Sequence, residues 1–72
     1  MIEYYKYTTY NGDELWYVMK DGECIDACFN NKPYAKHNVI DNLHTAAISS
    51  HRLIQLTEEE YFEYKLNITI HI

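Results

Sequence analysis

Cys24 and Cys28 are the residues whose type and spacing first suggest a metal or redox site. They follow Asp21-Gly22, a dipeptide typical of hairpin turns, so we place both cysteines on a β-strand. Positions four apart on a strand point to the same side but lie about 13 Å apart. A disulfide requires Cα atoms within about 7 Å, and zinc holds each sulfur at about 2.3 Å. We therefore interpret the pair as two buried or half-buried thiols.

Three of the four histidines, His37, His44 and His51, recur every seven residues. On one continuous helix neighbouring histidines would be about 10 Å apart, too far to share an ion. A pairing of His44 with Cys24 or Cys28 would need contact at about 3 Å to serve acyl transfer. The chain contains no nucleophile elbow, Gly-rich phosphate loop, HExxH or CxxC motif. We predict a non-enzyme with no catalytic residue, no metal ligand and no cofactor.

Composition and charge narrow the class of protein. The chain has 72 residues, 47% of them hydrophobic, and we predict a single domain over residues 1–72. The formal net charge is −5, with only six Lys and Arg, which argues against direct nucleic-acid binding because that affinity comes from neutralised phosphates. No apolar run is long enough to span a bilayer, and the N-terminal segment lacks signal-peptide features. We expect no membrane association and a cytoplasmic location.

Two dipeptides, Asn11-Gly12 and Asp21-Gly22, separate three runs rich in apolar and aromatic residues. Both are signals for two-residue hairpin turns, so the sequence predicts a three-stranded antiparallel meander. With turns of that length, Tyr10 lies opposite Asp13 in the first hairpin. The corresponding pair in the second hairpin is Lys20 and Glu23.

That register divides the side chains of the meander between two faces, because strand side chains alternate. The predicted core face contains Tyr5, Tyr7, Trp16, Val18, Ile25, Ala27 and Phe29. The opposite face contains Tyr4, Lys6, Leu15, Tyr17, Met19, Cys24, Asp26 and Cys28. A shift of one residue in either turn would exchange these sets.

The second half of the chain predicts two helices and further strands. After a loop over residues 30–33, Asn38 is the expected N-cap of a helix over about 39–49, and a short strand covers 52–56. Residues 57–60, Thr-Glu-Glu-Glu, form a capping box that begins a second, short helix. Alternation from Leu66 onward predicts a final strand. The predicted fold is α+β, in the order β-β-β-α-β-α-β, with both helices on one face of the antiparallel sheet.

The functional hypothesis rests on two features. One is the sheet face that the two helices leave uncovered, and the other is the acidic run from Glu58 to Glu60 together with Glu63. Tyrosine is enriched at binding surfaces, and negative charge favours a partner with a basic surface. We expect a small acidic interaction protein, forming a homodimer and occluding a larger host protein, of the kind that phages and mobile elements use against host defences, anti-CRISPR proteins included. The predicted partner-binding residues are Tyr4, Leu15, Tyr17, Met19, Glu58, Glu59, Glu60 and Glu63.

Two alternatives from other classes stay open. An oligomer could enclose an anionic nucleotide with Arg52, Lys36 and His37 and with stacked tyrosines, acting as a small-molecule sponge. A Cys/His metal module would depend on metal for its folding.

Overall fold

A computed structural model describes residues 1–70. Its strands and helices are β1 Ile2–Thr8, β2 Glu14–Lys20, β3 Glu23–Phe29, β4 Lys32–Pro33, α1 His37–Ala47, β5 Leu53–Leu56 and α2 Glu58–Ile70. The five strands form one antiparallel sheet in the order β4-β3-β2-β1-β5, which confirms the predicted α+β class.

The first hairpin has a three-residue loop instead of two residues. Thr8 lies opposite Glu14, and the N–H of Gly12 donates to the carbonyl of Thr9 at 3.0 Å. Gly12 has φ of +90°, a left-handed conformation that glycine adopts without steric cost. This combination is a tight turn followed by a glycine bulge, and it shifts the strand pairing by one residue. The predicted pairing of Tyr10 with Asp13 is therefore wrong.

The other two hairpin turns consist of two residues, both with positive φ. Asp21 and Gly22 connect β2 to β3, and Lys20 lies opposite Glu23 as predicted. Asn30 and Asn31 connect β3 to β4, a two-residue strand in the segment predicted to be a loop. Paired positive φ values are typical of type I′ turns, which match the twist of the flanking strands.

A bulge in β3 changes the faces a second time. Met19 lies opposite Cys24 but Val18 lies opposite Asp26, which leaves Ile25 without a partner on β2. The two irregularities together regroup the side chains, so the predicted face assignment is wrong. One face, called the α1 face, contains Tyr5, Tyr7, Leu15, Tyr17, Met19, Cys24 and Ala27. The other, called the α2 face, contains Tyr4, Lys6, Trp16, Val18, Asp26 and Cys28.

Helix α1 packs on the α1 face, with Ile40 buried in the main core and Leu43 beside it. The helix begins at His37, after Lys36, without a side-chain cap, so the predicted cap at Asn38 is wrong. Asp41 connects the helix to the sheet. Its Oδ1 accepts the backbone N–H of Cys24 at 2.7 Å. That bond satisfies a strand N–H beside the bulge and fixes α1 against β3.

Helix α2 packs on the opposite face, so the expectation that both helices share one face is wrong. Its capping box is confirmed: Thr57 Oγ1 accepts the Glu60 N–H at 3.1 Å, and Glu60 Oε1 accepts the Thr57 N–H at 2.8 Å. The strand predicted from Leu66 is wrong through residue 70, because α2 continues to Ile70. The apolar residues from Tyr64 to Ile70 alternate as in a strand. They also fit a helix, because Ile68 lies four residues after Tyr64 and therefore on the same helix face. The last two residues of that predicted strand lie outside the described residues.

Candidate interaction site: an acidic-aromatic groove on the α2 face

The structure separates the predicted partner-binding residues into three groups. Leu15, Tyr17 and Met19 lie under α1 and are at most 6% exposed, so the prediction that they form an open face is wrong. Tyr4 lies on the other side of the sheet, half-buried against the ring of Tyr61 at a centroid distance of 5.4 Å. The acidic group is exposed on α2 and consists of Glu58, Glu59, Glu60 and Glu63.

An aromatic stack joins α2 to the centre of the sheet. The rings of Trp16 on β2 and Tyr64 on α2 are parallel within 2°, with centroids 3.8 Å apart. The Tyr64 hydroxyl donates to Asn31 Oδ1 at 3.0 Å, which fixes the far end of the ring at the β3–β4 turn. Burial raises the pKa of Tyr64 to about 12, so the phenol stays neutral near pH 7. The stack therefore presents a rigid, uncharged aromatic surface.

An open groove of about 300 Å³ lies beside this stack. Its polar lining comes from one side of α2, because positions 60, 63, 64 and 67 follow helical spacing. The Glu60 carboxylate uses one oxygen in the capping box, whereas the Glu63 carboxylate forms no salt bridge within residues 1–70. The lining residues are Trp16, Glu60, Glu63, Tyr64 and Asn67.

The chain's own lysine already lies against the same tryptophan. The Lys6 Nζ is 5.2 Å from the Trp16 ring centroid and 3.9 Å from Glu14 Oε1. The Trp16 Nε1–H donates to the same carboxylate at 3.2 Å, which orients the indole. An aromatic face attracts cations, and neighbouring carboxylates strengthen that attraction. The surroundings of Trp16 thus accommodate an ammonium group within the folded chain.

Asp26 holds α2 in the position that forms the groove. Its Oδ2 accepts the Tyr61 hydroxyl at 2.7 Å and the Lys65 Nζ at 2.9 Å. Burial would raise the pKa of Asp26, but the hydrogen bonds from Lys65 and Tyr61 outweigh it and lower that pKa. Burial together with the bond to Asp26 raises the pKa of Tyr61. The network joins β3 to α2 at two positions near Tyr64. Tyr61 lies about one turn before it, and Lys65 is the next residue.

The cysteines and histidines do not converge. The bulge places Cys24 on the α1 face and Cys28 on the α2 face, so the expectation that they point to one side is wrong. Burial raises the pKa of Cys24 to about 11 and also raises the pKa of Cys28, which keeps both thiols protonated and poorly nucleophilic. His44 Nδ1 shares a 2.7 Å hydrogen bond with the Tyr17 hydroxyl. Within residues 1–70 no three His, Cys, Asp or Glu side chains are grouped to hold a metal ion.

The residues of the sponge hypothesis also lie apart within one chain. Lys36 and His37 are at the start of α1, whereas Arg52 follows its end, and eleven helical residues span about 16 Å. The Arg52 guanidinium lies over the ring of Tyr10, at 5.8 Å from its centroid. A separate cavity of about 210 Å³ between α1 and the sheet is lined by uncharged residues: Tyr7, Thr9, Leu15, Phe29, Tyr34, Val39, Ile40 and Leu43.

Comparisons of the chain with known proteins found no similar protein. Scans against protein-family models, curated proteins and solved structures each returned no match to this chain. Neither helix within residues 1–70 has the length and apolar character needed to cross a membrane.

Three groove residues were not predicted as site residues. Trp16 belongs to the predicted core face, Asn67 belongs to the predicted final strand, and Tyr64 is not among the predicted partner-binding residues. The spacing of Glu60, Glu63, Tyr64 and Asn67 is the signal that identifies the groove, and it is readable only when α2 extends beyond Leu66.

Proposed function

We propose that this chain is a small acidic interaction protein that binds a basic segment of a larger protein through the groove on its α2 face. The observation that carries this proposal is the groove itself, in which a stacked Trp16–Tyr64 pair lies beside the carboxylates of Glu60 and Glu63. Arginine suits such a groove, because its planar guanidinium stacks on aromatic rings while its N–H groups bind carboxylates. Lysine carries a compact ammonium group without a planar group to stack, so arginine fits this groove better.

Two apolar side chains on α2 are exposed outside the groove. Phe62 is 55% exposed and Leu66 is 60% exposed, one helical turn apart on α2. Exposed apolar groups of this size, bordered by charged residues, are typical of protein interaction surfaces. The net charge of −5 would accelerate the approach of a basic partner at low ionic strength.

The specific form of the proposal is occlusion. A basic surface that normally holds nucleic acid has the charge that this groove complements, so an inhibitor of a host defence or nucleic-acid enzyme fits the site. Charge complementarity between the acidic groove and such a surface supports that form. In the part of the chain that the structure describes, no feature favours the nucleotide sponge or the metal module over it.

Site-specific photocrosslinking in cells of the natural host tests the proposal. A benzophenone amino acid replaces Asn67, an exposed residue that lines the groove. The matched control replaces Ile48, which is 61% exposed just after α1. We expect position 67, but not position 48, to crosslink to one larger protein.

A charge reversal then separates specific from general contact. Glu63→Lys should abolish the crosslink from position 67, whereas Glu59→Lys, with the same net charge, should preserve it. Glu60 is unsuitable for this comparison because its carboxylate also caps α2. Equal crosslinking from positions 67 and 48, or equal losses in the two lysine variants, would contradict the proposal.

A further inference from the structure

The strand β5 forms one edge of the sheet and pairs only with β1 among the described residues. The Thr8 N–H donates to the Arg52 carbonyl at 3.2 Å, which shows that the backbone groups of residue 52 point toward β1. Backbone polar groups alternate in direction along a strand, so residues 54 and 56 also face β1 while Leu53 and Gln55 face outward. The N–H and C=O of Gln55 therefore have no strand partner within residues 1–70.

This edge lacks the charged residues and proline that often prevent strands from pairing. Its sequence, Leu-Ile-Gln-Leu, contains no charge and no proline, and Ile54 is 53% exposed on the α2 face. The opposite edge, β4, is only two residues long and contains Lys32 and Pro33. Short length, lysine and proline are the usual protections of a sheet edge. Of the two sheet edges within residues 1–70, the β5 edge is therefore the one open to another strand.

We infer that two copies of this chain pair through β5, antiparallel about a two-fold axis, and form a continuous ten-stranded sheet. With Ile54 opposite Ile54 of the second copy, the outward groups of Leu53 and Gln55 form four hydrogen bonds across the axis. The pairing would replace a long 3.5 Å bond between the Leu53 N–H and the Ser50 carbonyl.

Charge complementarity supports the second copy as the occupant. Arg52 precedes β5, and Glu58 to Glu60 follow it in the first turn of α2. An antiparallel pairing of identical strands places the basic end of each strand near the acidic end of the other. The pairing would also bury Ile54 of both copies at the axis.

The arrangement has a consequence for binding. A two-fold axis perpendicular to the sheet keeps the α2 faces of both copies on one side. The dimer would present two acidic-aromatic grooves to one partner surface, which raises avidity without a new contact. The inference itself does not depend on what the grooves bind.

Gln55→Pro tests the inference, because it removes the outward N–H and leaves every hydrogen bond to β1 intact. Gln55→Ala is the matched control, since it shortens the side chain and keeps the N–H. Sedimentation equilibrium of the full chain should give a dimer for wild type and for Gln55→Ala. Dimerisation should be about tenfold weaker or worse in Gln55→Pro, because two of the four hydrogen bonds are lost.

A second variant keeps the test decisive if proline unfolds the strand. Ile54→Lys adds a charge at an exposed position of the edge and should also give monomers, with a circular dichroism spectrum that matches that of the folded wild type. In wild type, exchange of the Gln55 amide proton should slow as protein concentration rises. A wild-type monomer at about 1 mM, or a dimer unaffected by both variants, would overturn the inference. Binding of an arginine peptide by the monomeric variants is a separate result, which tests the groove alone.

Discussion

The two faces of the sheet are both covered by a helix, but they are built from different interactions. On the α1 face, Tyr17 is 0% exposed and Ile40 is 1% exposed, in a core of aromatic and aliphatic side chains. On the α2 face, Tyr61 and Cys28 are also buried, but a polar network around Asp26 and the stack of Tyr64 on Trp16 hold the helix, and its outer side remains partly apolar. We therefore expect the α1 face to provide most of the stability, and we propose that the α2 face provides the binding surface.

The largest expected effect lies in the core of the α1 face. Tyr17→Ala should lower the free energy of unfolding by about 3–5 kcal/mol, because it leaves a cavity and an unpaired His44. A loss of that size is a large part of the roughly 5–15 kcal/mol typical of folded proteins, so the variant should unfold at a much lower urea concentration. Urea denaturation followed by circular dichroism measures the change.

Tyr64→Ala is the matched comparison on the α2 face. The ring of Tyr64 is only half-buried, so its loss should cost roughly half as much as the loss of Tyr17. Equal destabilisation by the two variants would contradict the division of roles between the faces.

The next effect concerns the contact that holds α2. Asp26→Asn should lower the free energy of unfolding at pH 7 by about 1–2 kcal/mol, since it weakens the bonds from Tyr61 and Lys65, which are partly solvent-screened. Asp21→Asn is the control, because the ion pair of Asp21 with the N-terminus is strongly exposed. A result in which both variants have the same stability would remove Asp26 as a structural anchor.

The same carboxylate predicts how stability depends on pH. The pKa of Asp26 is lower in the folded chain than in the unfolded chain, so its stabilising contribution is present above the ordinary aspartate pKa of about 3.9. That contribution is lost as pH falls through the lower, folded pKa, where protonation ends the pairing with Lys65. Urea midpoints measured from pH 7 to pH 2 should decline more in wild type than in Asp26→Asn. Parallel declines would show that other carboxylates dominate acid unfolding.

Much of the fold could be predicted from the sequence because local signals fix it. The Asp21-Gly22 turn and the capping box of Thr57 and Glu60 are both present as predicted. The face assignment failed because Asn11-Gly12 suits either a two-residue turn or a three-residue loop with a bulge, and one residue exchanges the faces. The bulge at Ile25 has no local signal in the sequence, because it depends on tertiary contacts. Cys24 contacts α1 on one face of the sheet, and Asp26 contacts α2 on the other face.

The site was predicted only in its charged part. Glu60 and Glu63 are recognisable from the acidic run, because exposed carboxylates at the start of a helix need no tertiary information. Trp16 and Tyr64 come together only through the sheet register and the position of α2, neither of which is a local property. The alternation of apolar residues after Leu66 predicts a strand, although helical spacing fits the same residues. For that reason Asn67 is not predicted as a site residue.

The smallest expected change in stability comes from Glu63→Gln, which should alter the free energy of unfolding by less than about 0.5 kcal/mol because the side chain is exposed. Glu63→Gln should instead weaken the binding of a basic partner to the groove. Glu59→Gln, on the same helix but outside the groove, is the control with the same change in net charge. Thermal melting of both variants should coincide with wild type within error.

The most direct test of the proposed groove is a fluorescence titration, because Trp16 is the only tryptophan in the chain and lines the groove. The probes are a short arginine-rich peptide and its citrulline counterpart, which has the same shape without the charge. We predict a saturable change in Trp16 emission with the arginine peptide alone, weakened at least about threefold by Glu63→Gln and unchanged by Glu59→Gln. Equal binding of both peptides, or equal weakening by the two variants, would contradict the assignment of the groove as the binding site.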